Sequence, residues 1–151
     1  MSSLERARRL HLEQPLVVAH VDLPAELQLR RQYGEPGALL RDYLPRCRKA
    51  GIGVLIGAFF VHPAYLPDMA LSMGLEQIAA LLAEIEESGG AFRLARTARE
   101  LDACLEAGKV AVLLSMEGCE PLGRSPSLLR VFYELGVRLL GLTGRGVRVE
   151  P

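Results

Sequence analysis

The sequence predicts an α/β fold with a parallel sheet. Short apolar segments alternate with amphipathic ones in the order strand, helix, strand, helix, strand, helix, strand, and such alternation goes with parallel pairing through helical crossovers. The second apolar segment, Gly53 to Val61, is almost continuously apolar, as befits a strand covered on both faces. Polar and acidic residues gather where the first and third strands end, the edge at which α/β sheets and barrels place their sites.

The elements follow in order. Residues 1–15 form a polar, Arg-rich lead-in with a short helix over Leu4 to Leu12, and His11 there faces solvent. Leu16 to His20 is the first strand, an apolar run stopped by Leu23-Pro24. Pro24 to Gly37 reads as a loop with helical turns, its charges a solvated face. Ala38 to Ala50 carries Leu39, Leu40, Tyr43, Leu44 and Cys47 at helical spacing. Pro45 predicts a kink or break there, and Gly51 ends the segment. After the second strand and His62-Pro63, Ala70 to Ser88 is the strongest helix. Its stripe is Leu71, Leu75, Ile78, Leu81, Leu82 and Ile85, with Glu76, Gln77, Glu84, Glu86 and Glu87 opposite. Phe92 to Ala95 is a short extended piece. Thr97, with Glu100 three residues on, has the capping-box pattern for a helix ending at Gly108. Val110 to Ser115 is the third strand. Ser125 caps a fourth helix with Pro126 at its first position, and Arg138 to Leu142 is the fourth strand.

The 151 residues suffice for one domain with one core. Eighteen basic residues balance eighteen acidic ones, and there is no Trp and only four Tyr and four Phe, which argues against a nucleic-acid partner. The longest apolar run, Val54 to Val61, is far short of the ~18 residues of a membrane span. Met1 to Glu13 is charged and has no apolar signal core. Cys47, Cys104 and Cys119 are odd in number and lack C-x-x-C spacing. That predicts free thiols and a cytoplasmic location.

The chemistry centres on Leu16-Val17-Val18-Ala19-His20-Val21-Asp22. His20 and Asp22 are two apart, so an extended backbone turns both to one side. An imidazole and a carboxylate together make half of a metal site; a solitary histidine beside a turn aspartate looks the same. Glu117 ends the third strand as His20 and Asp22 end the first, and a carboxylate there can reach the same cavity. Together the three suit zinc or another divalent ion, and a carboxylate can bridge two ions. Capping a helix or pairing with an arginine are the other roles open to Glu117. His62 stands at a strand end too, where it is a candidate ligand or a polar rim residue.

The chain resembles the membrane (renal) dipeptidase family of zinc peptidases, within the amidohydrolase-like barrels. The matching pieces run in family order. Ala19-His20-Val21-Asp22-Leu23-Pro24 answers the family's G-H-N-D-L-P, and Gly51-Ile52-Gly53-Val54 precedes the second strand. Next come Leu75-Glu76-Gln77-Ile78, Leu94-Ala95-Arg96-Thr97-Ala98, Glu106-Ala107-Gly108-Lys109-Val110-Ala111 and Met116-Glu117-Gly118. Leu128 to Arg138 and Leu142-Thr143 complete the series. The chain departs from the pattern at Val18 and Val21, which replace a family Asp and Asn, and at Gly144, which stands where the family has a substrate-contacting His.

The resemblance implies a partial (β/α)8 TIM-type barrel of about the first four β/α units, with residues 16–151 as its N-terminal half. It implies zinc-dependent hydrolysis of dipeptides by a metal-activated water. His20 and Asp22 would hold one Zn2+ and Glu117 would bridge to a second. It places the two histidines of the second ion, the arginine that takes the substrate carboxylate and a later aspartate beyond Pro151. The expectation is therefore a chain inactive alone, with open sheet edges that self-associate or take a complementing chain. The alternative is a non-catalytic metal-binding or interaction module.

Overall fold

The computed structural model describes residues 2–142, and the departure at Gly144 lies outside them. Helix α1 (Ser3–Glu13) opens on a capping box in which Ser2 and Glu5 each bond the other's backbone N–H. Five strands follow, all parallel: β1 (Leu16–Val21), β2 (Ile52–Phe59), β3 (Phe92–Leu94), β4 (Val110–Glu117) and β5 (Val137–Gly141). The path runs β1–β2–β4, and the far edge of β4 is shared between two strands. The short β3 takes its first half, at Val110 to Val112, and β5 its second, at Leu114 to Glu117. The extended piece at Phe92 is therefore a true strand, tucked beside the barrel-type order β1, β2, β4, β5.

Two cores lie on opposite faces of the sheet. Leu55, Phe59, Val112, Leu114 and Met116 alternate onto one face, under α2 (Leu23–Gln32), α3 (Leu44–Ala50), α4 (Ala70–Glu87) and α6 (Leu128–Leu135). Val54 and Ala111 point the other way, onto Leu101, Cys104 and Leu105 of α5 (Ala98–Glu106). Thr97 caps α5 by accepting the Glu100 N–H at 3.1 Å. Helix α5 thus closes one face at the N-terminal ends of the strands and leaves its C-terminal end for a site.

Several segments differ from the sequence expectation. Residues 23–32 are a helix rather than a loop, because Leu23 and Leu27 bury fully at helical spacing and Pro24 sits in the first turn, where no N–H is needed. The charges of α2 are paired rather than solvated: Arg30 reaches Glu26 and Asp42, and Arg31 reaches Glu84 and Glu87. Pro45 breaks nothing. A wide π turn at Leu39–Tyr43 runs directly into α3, where Pro45 occupies the first turn. Helix α6 begins at Leu128, a turn later than Ser125 suggests, because Ser125 bonds Ser127 instead and the intervening residues form turns.

The orientation of α4 is the largest difference. Of the expected stripe, Ile78 and Leu81 are buried and Leu82 and Ile85 pack against the core, but Leu71 and Leu75 are exposed, and Ala70, Gly74, Gln77, Ala80, Glu84 and Ser88 are buried instead. The three polar members each hold the backbone of another segment. Gln77 donates to the Phe60 carbonyl at 2.7 Å. Glu84 accepts from the Gly37 and Leu39 N–H groups at 2.6 and 3.0 Å. Ser88 accepts from the Phe92 N–H at 3.1 Å, at the start of β3. On the opposite flank Arg138 of β5 donates to the carbonyls of Arg96 and Tyr133 and stacks 3.9 Å over the Tyr133 ring.

Candidate metal centre

The C-terminal ends of β1 and β4 bring His20, Asp22 and Glu117 together. His20 lies in a stretch where β1 slips register: Val18 pairs with Leu55 and Val21 with Gly57, so three residues of β1 advance against two of β2. Such irregularities re-aim side chains. Asp22 has left the strand and occupies the N-cap position of α2, yet its carboxylate makes no capping bond. Pro24 removes one donor that a cap would serve. The carboxylate turns to His20 instead, with Oδ1 3.2 Å from Nε2. The same-side geometry read from the sequence is thus reached through a register slip and a helix start.

Glu117 closes β4, where Gly141 of β5 is its register partner, and the following Gly118 N–H donates to the Gly141 carbonyl at 3.1 Å. Gly118 is at φ +90°, a region suited to glycine. The Glu120 carboxylate folds back over it, 2.0 Å from where a Cβ would stand. Glu117 Oε2 lies 3.3 Å from His20 Nε2. One ligand atom from each of the three residues falls within 4.8 Å of the others, the one such grouping of three or more among the described residues. The side chain of Glu117 is 28% exposed, against 58% for His20 and 60% for Asp22. The trio is therefore partly enclosed at Glu117 and open at His20 and Asp22.

The donor set suits a divalent ion. One borderline nitrogen and two hard oxygens face a common point, and among the described residues no arginine or lysine pairs with either acid there. His62 stands outside the trio: its Nδ1 accepts the Ala64 N–H at 3.2 Å and caps a turn after β2. Cys119 follows closely but lies outside the trio; burial first and the neighbouring Glu120 second push its thiol above the usual range, and its Sγ donates to the Gly141 carbonyl. Sequence reasoning passed over Gln77, whose bond to Phe60 fixes the end of β2. Its heptad-type spacing with Gly74, Leu81 and Glu84 was the available signal.

Parallel strands with ligand-type side chains at their C-terminal ends define an α/β protein with a candidate metal site. The sequence profile described as Membrane dipeptidase (Peptidase family M19) matches residues 4–148. Dipeptidase 3 of Macaca fascicularis is 33% identical over 144 residues, which cover 91% of this chain and 29% of that protein. Dipeptidase ataJ of Aspergillus terreus is 29% identical over 89% of this chain and 36% of its own length. The crystal structure of dipeptidase AC, a metallopeptidase of family M19, superposes with a TM-score of 0.76 at 25% identity, over 85% of this chain and 42% of that one. The chain belongs to the membrane dipeptidase family, whose members are metallopeptidases, and its fold is part of their TIM-type barrel. It spans about a third of the length of the curated relatives it matches.

Proposed function

We propose that this chain contributes to zinc-dependent hydrolysis of dipeptides, with His20, Asp22 and Glu117 as metal ligands. The observation that carries the reading is the meeting of these side chains at 3.2 and 3.3 Å, in a chain of the membrane dipeptidase family. His20 offers Nε2, and Asp22 and Glu117 offer one carboxylate oxygen each. Glu117 would also reach a second ion, the bridging role the resemblance implies. Bound zinc would supply Lewis acidity, polarising a peptide carbonyl and activating water for attack. The two carboxylates concentrate negative charge at the site, and the exposed side of the trio admits a small substrate.

Elemental analysis of the purified chain, with a dipeptide hydrolysis assay on the same sample, tests this. At least one zinc per chain is the expected result. Two zinc ions with turnover would mean that residues here complete a second site. A chain that takes up no zinc would remove the reading.

A second reading is favoured by the sheet edges. Among the described residues β1 and β5 each pair along one side only, and Val17, Leu139 and Leu140 are exposed on them. Unpaired apolar edges invite another strand, so the chain acts as a metal-binding module that assembles with a second copy or a complementing chain. Light scattering on size-exclusion peaks is expected to give the mass of a dimer or larger species; a stable monomer across concentrations would count against assembly.

A further inference from the structure

His20 and Glu117 belong to strands that are not neighbours. β2 lies between β1 and β4, and with strands about 4.8 Å apart their backbones are separated by roughly 10 Å. The two side chains nevertheless approach to 3.3 Å, so they must cross over β2. The β2 residue beneath them follows from register. Ala58 pairs with Ser115, two residues before Glu117, and Gly57 pairs with Val21, one residue after His20, so Ala58 lies at a level between His20 and Glu117. Alternation from Val54, on the α5 face, places Ala58 on the face that carries Glu117. Ala58 is fully buried, with 0% exposure.

We propose that Ala58 is a positioning residue of the metal centre: its single methyl group is what lets ligands from β1 and β4 close over β2 onto one ion. The inference rests on the reading of His20, Asp22 and Glu117 as ligands. A longer side chain at position 58 fills the space under the crossing and holds His20 and Glu117 apart. Ser115, its register partner on β4, is small as well, so the floor under the ligands is shallow across two strands. The role is indirect, because Ala58 has no donor atom and acts only through the separation of the groups above it.

The test is zinc affinity, read by titration against a chromophoric chelator, with far-UV circular dichroism and thermal melting on each protein. Ala58→Leu is expected to bind zinc at least about tenfold more weakly, the effect of overpacking a filled site. Ala58→Gly and Ala58→Ser, which keep the floor low, retain the parental affinity. In a His20→Ala background the Leu substitution adds less than about a further twofold loss, since the contact it disrupts is already gone. Should Ala58→Leu fail to fold, Ala58→Thr is measured by the same criteria. Parental affinity in the enlarged variant overturns the inference and leaves the ligand assignment standing. Equal losses with and without His20 also overturn it, since they would mark a general packing fault. A parent chain that binds no zinc overturns the ligand assignment itself and the inference with it.

Discussion

Glu117→Gln is expected to weaken zinc binding by about a hundredfold or more, because even partners outside the first ligand shell cost about 10–100-fold when lost. The amide keeps the size and shape of the side chain and removes its charge. Two consequences follow from the geometry. The carboxylate nearest His20 Nε2 from the β4 side, at 3.3 Å, becomes a weak neutral donor to an ion. The member of the trio that is least exposed, and so best fixed, is the one that is changed. Little else should change, since Glu117 makes no ion pair with any arginine or lysine among the described residues, and its backbone stays in the β4–β5 ladder. Titration with zinc alongside thermal melting checks both statements. Unchanged metal affinity would exclude Glu117 as a ligand, and a large drop in melting temperature would make its role structural.

The parallel order and the trio were legible because they rest on strong local signals. Apolar runs of strand length separated by amphipathic stretches leave few alternatives, and β1, β2, β4 and β5 fall within two residues of the expected spans. His20 and Asp22 carry the site in a heptapeptide. What could not be read is how they converge. The period-two argument places them on one side of an ideal strand, whereas β1 slips register at Ala19 and His20 and Asp22 starts a helix. Ala58 was invisible for a different reason. An alanine in an apolar strand has no chemistry to flag it, and its place between His20 and Glu117 depends on pairings across three strands.

Helix α4 shows where the hydrophobic rule misleads. The rule turns Ile78, Leu81, Leu82 and Ile85 inward, as found, but it also turns Leu71 and Leu75 inward and Gln77 and Glu84 outward, whereas the helix is rotated so that one acid, Glu84, and the Gln77 amide lie inside. Burying a polar group costs free energy unless its bonds are met; Gln77 Oε1 has no partner among the described residues, but the Gln77 amide nitrogen, both Glu84 oxygens and the Ser88 hydroxyl find backbone partners in other segments. Those partners are up to 47 residues away in the chain, so no window of sequence contains them. The loop assignment holds for residues 33–37 and fails for 24–32 for the same reason. Arg31 looks like a solvated charge until Glu84 and Glu87 are brought beside it, an environment that holds its guanidinium above the usual range, chiefly through the Glu87 bond.

Glu84→Gln is expected to destabilise the chain by about 3 kcal/mol, the scale seen when one partner of a buried, hydrogen-bonded charge is removed. The Glu84 side chain is 1% exposed and uses both oxygens: one accepts from the Gly37 N–H and Arg31, the other from the Leu39 N–H. An amide offers one acceptor and one donor, so one of the two backbone N–H groups must face an NH2 group and lose its bond. Arg31 keeps Glu87, which limits the loss and predicts that Arg31→Met costs less in the Glu84→Gln protein than in the parent. Urea denaturation should show the change as a lower midpoint at an unchanged slope. Zinc affinity should hold near the parental value, because Glu84 anchors the 37–39 turn while Gln77, two turns nearer the start of α4, anchors the end of β2. A loss of zinc binding in Glu84→Gln at full stability would mean that the turn at Gly37 to Leu39 bears on the ligands, and that α4 transmits strain along its length instead of pinning each segment separately.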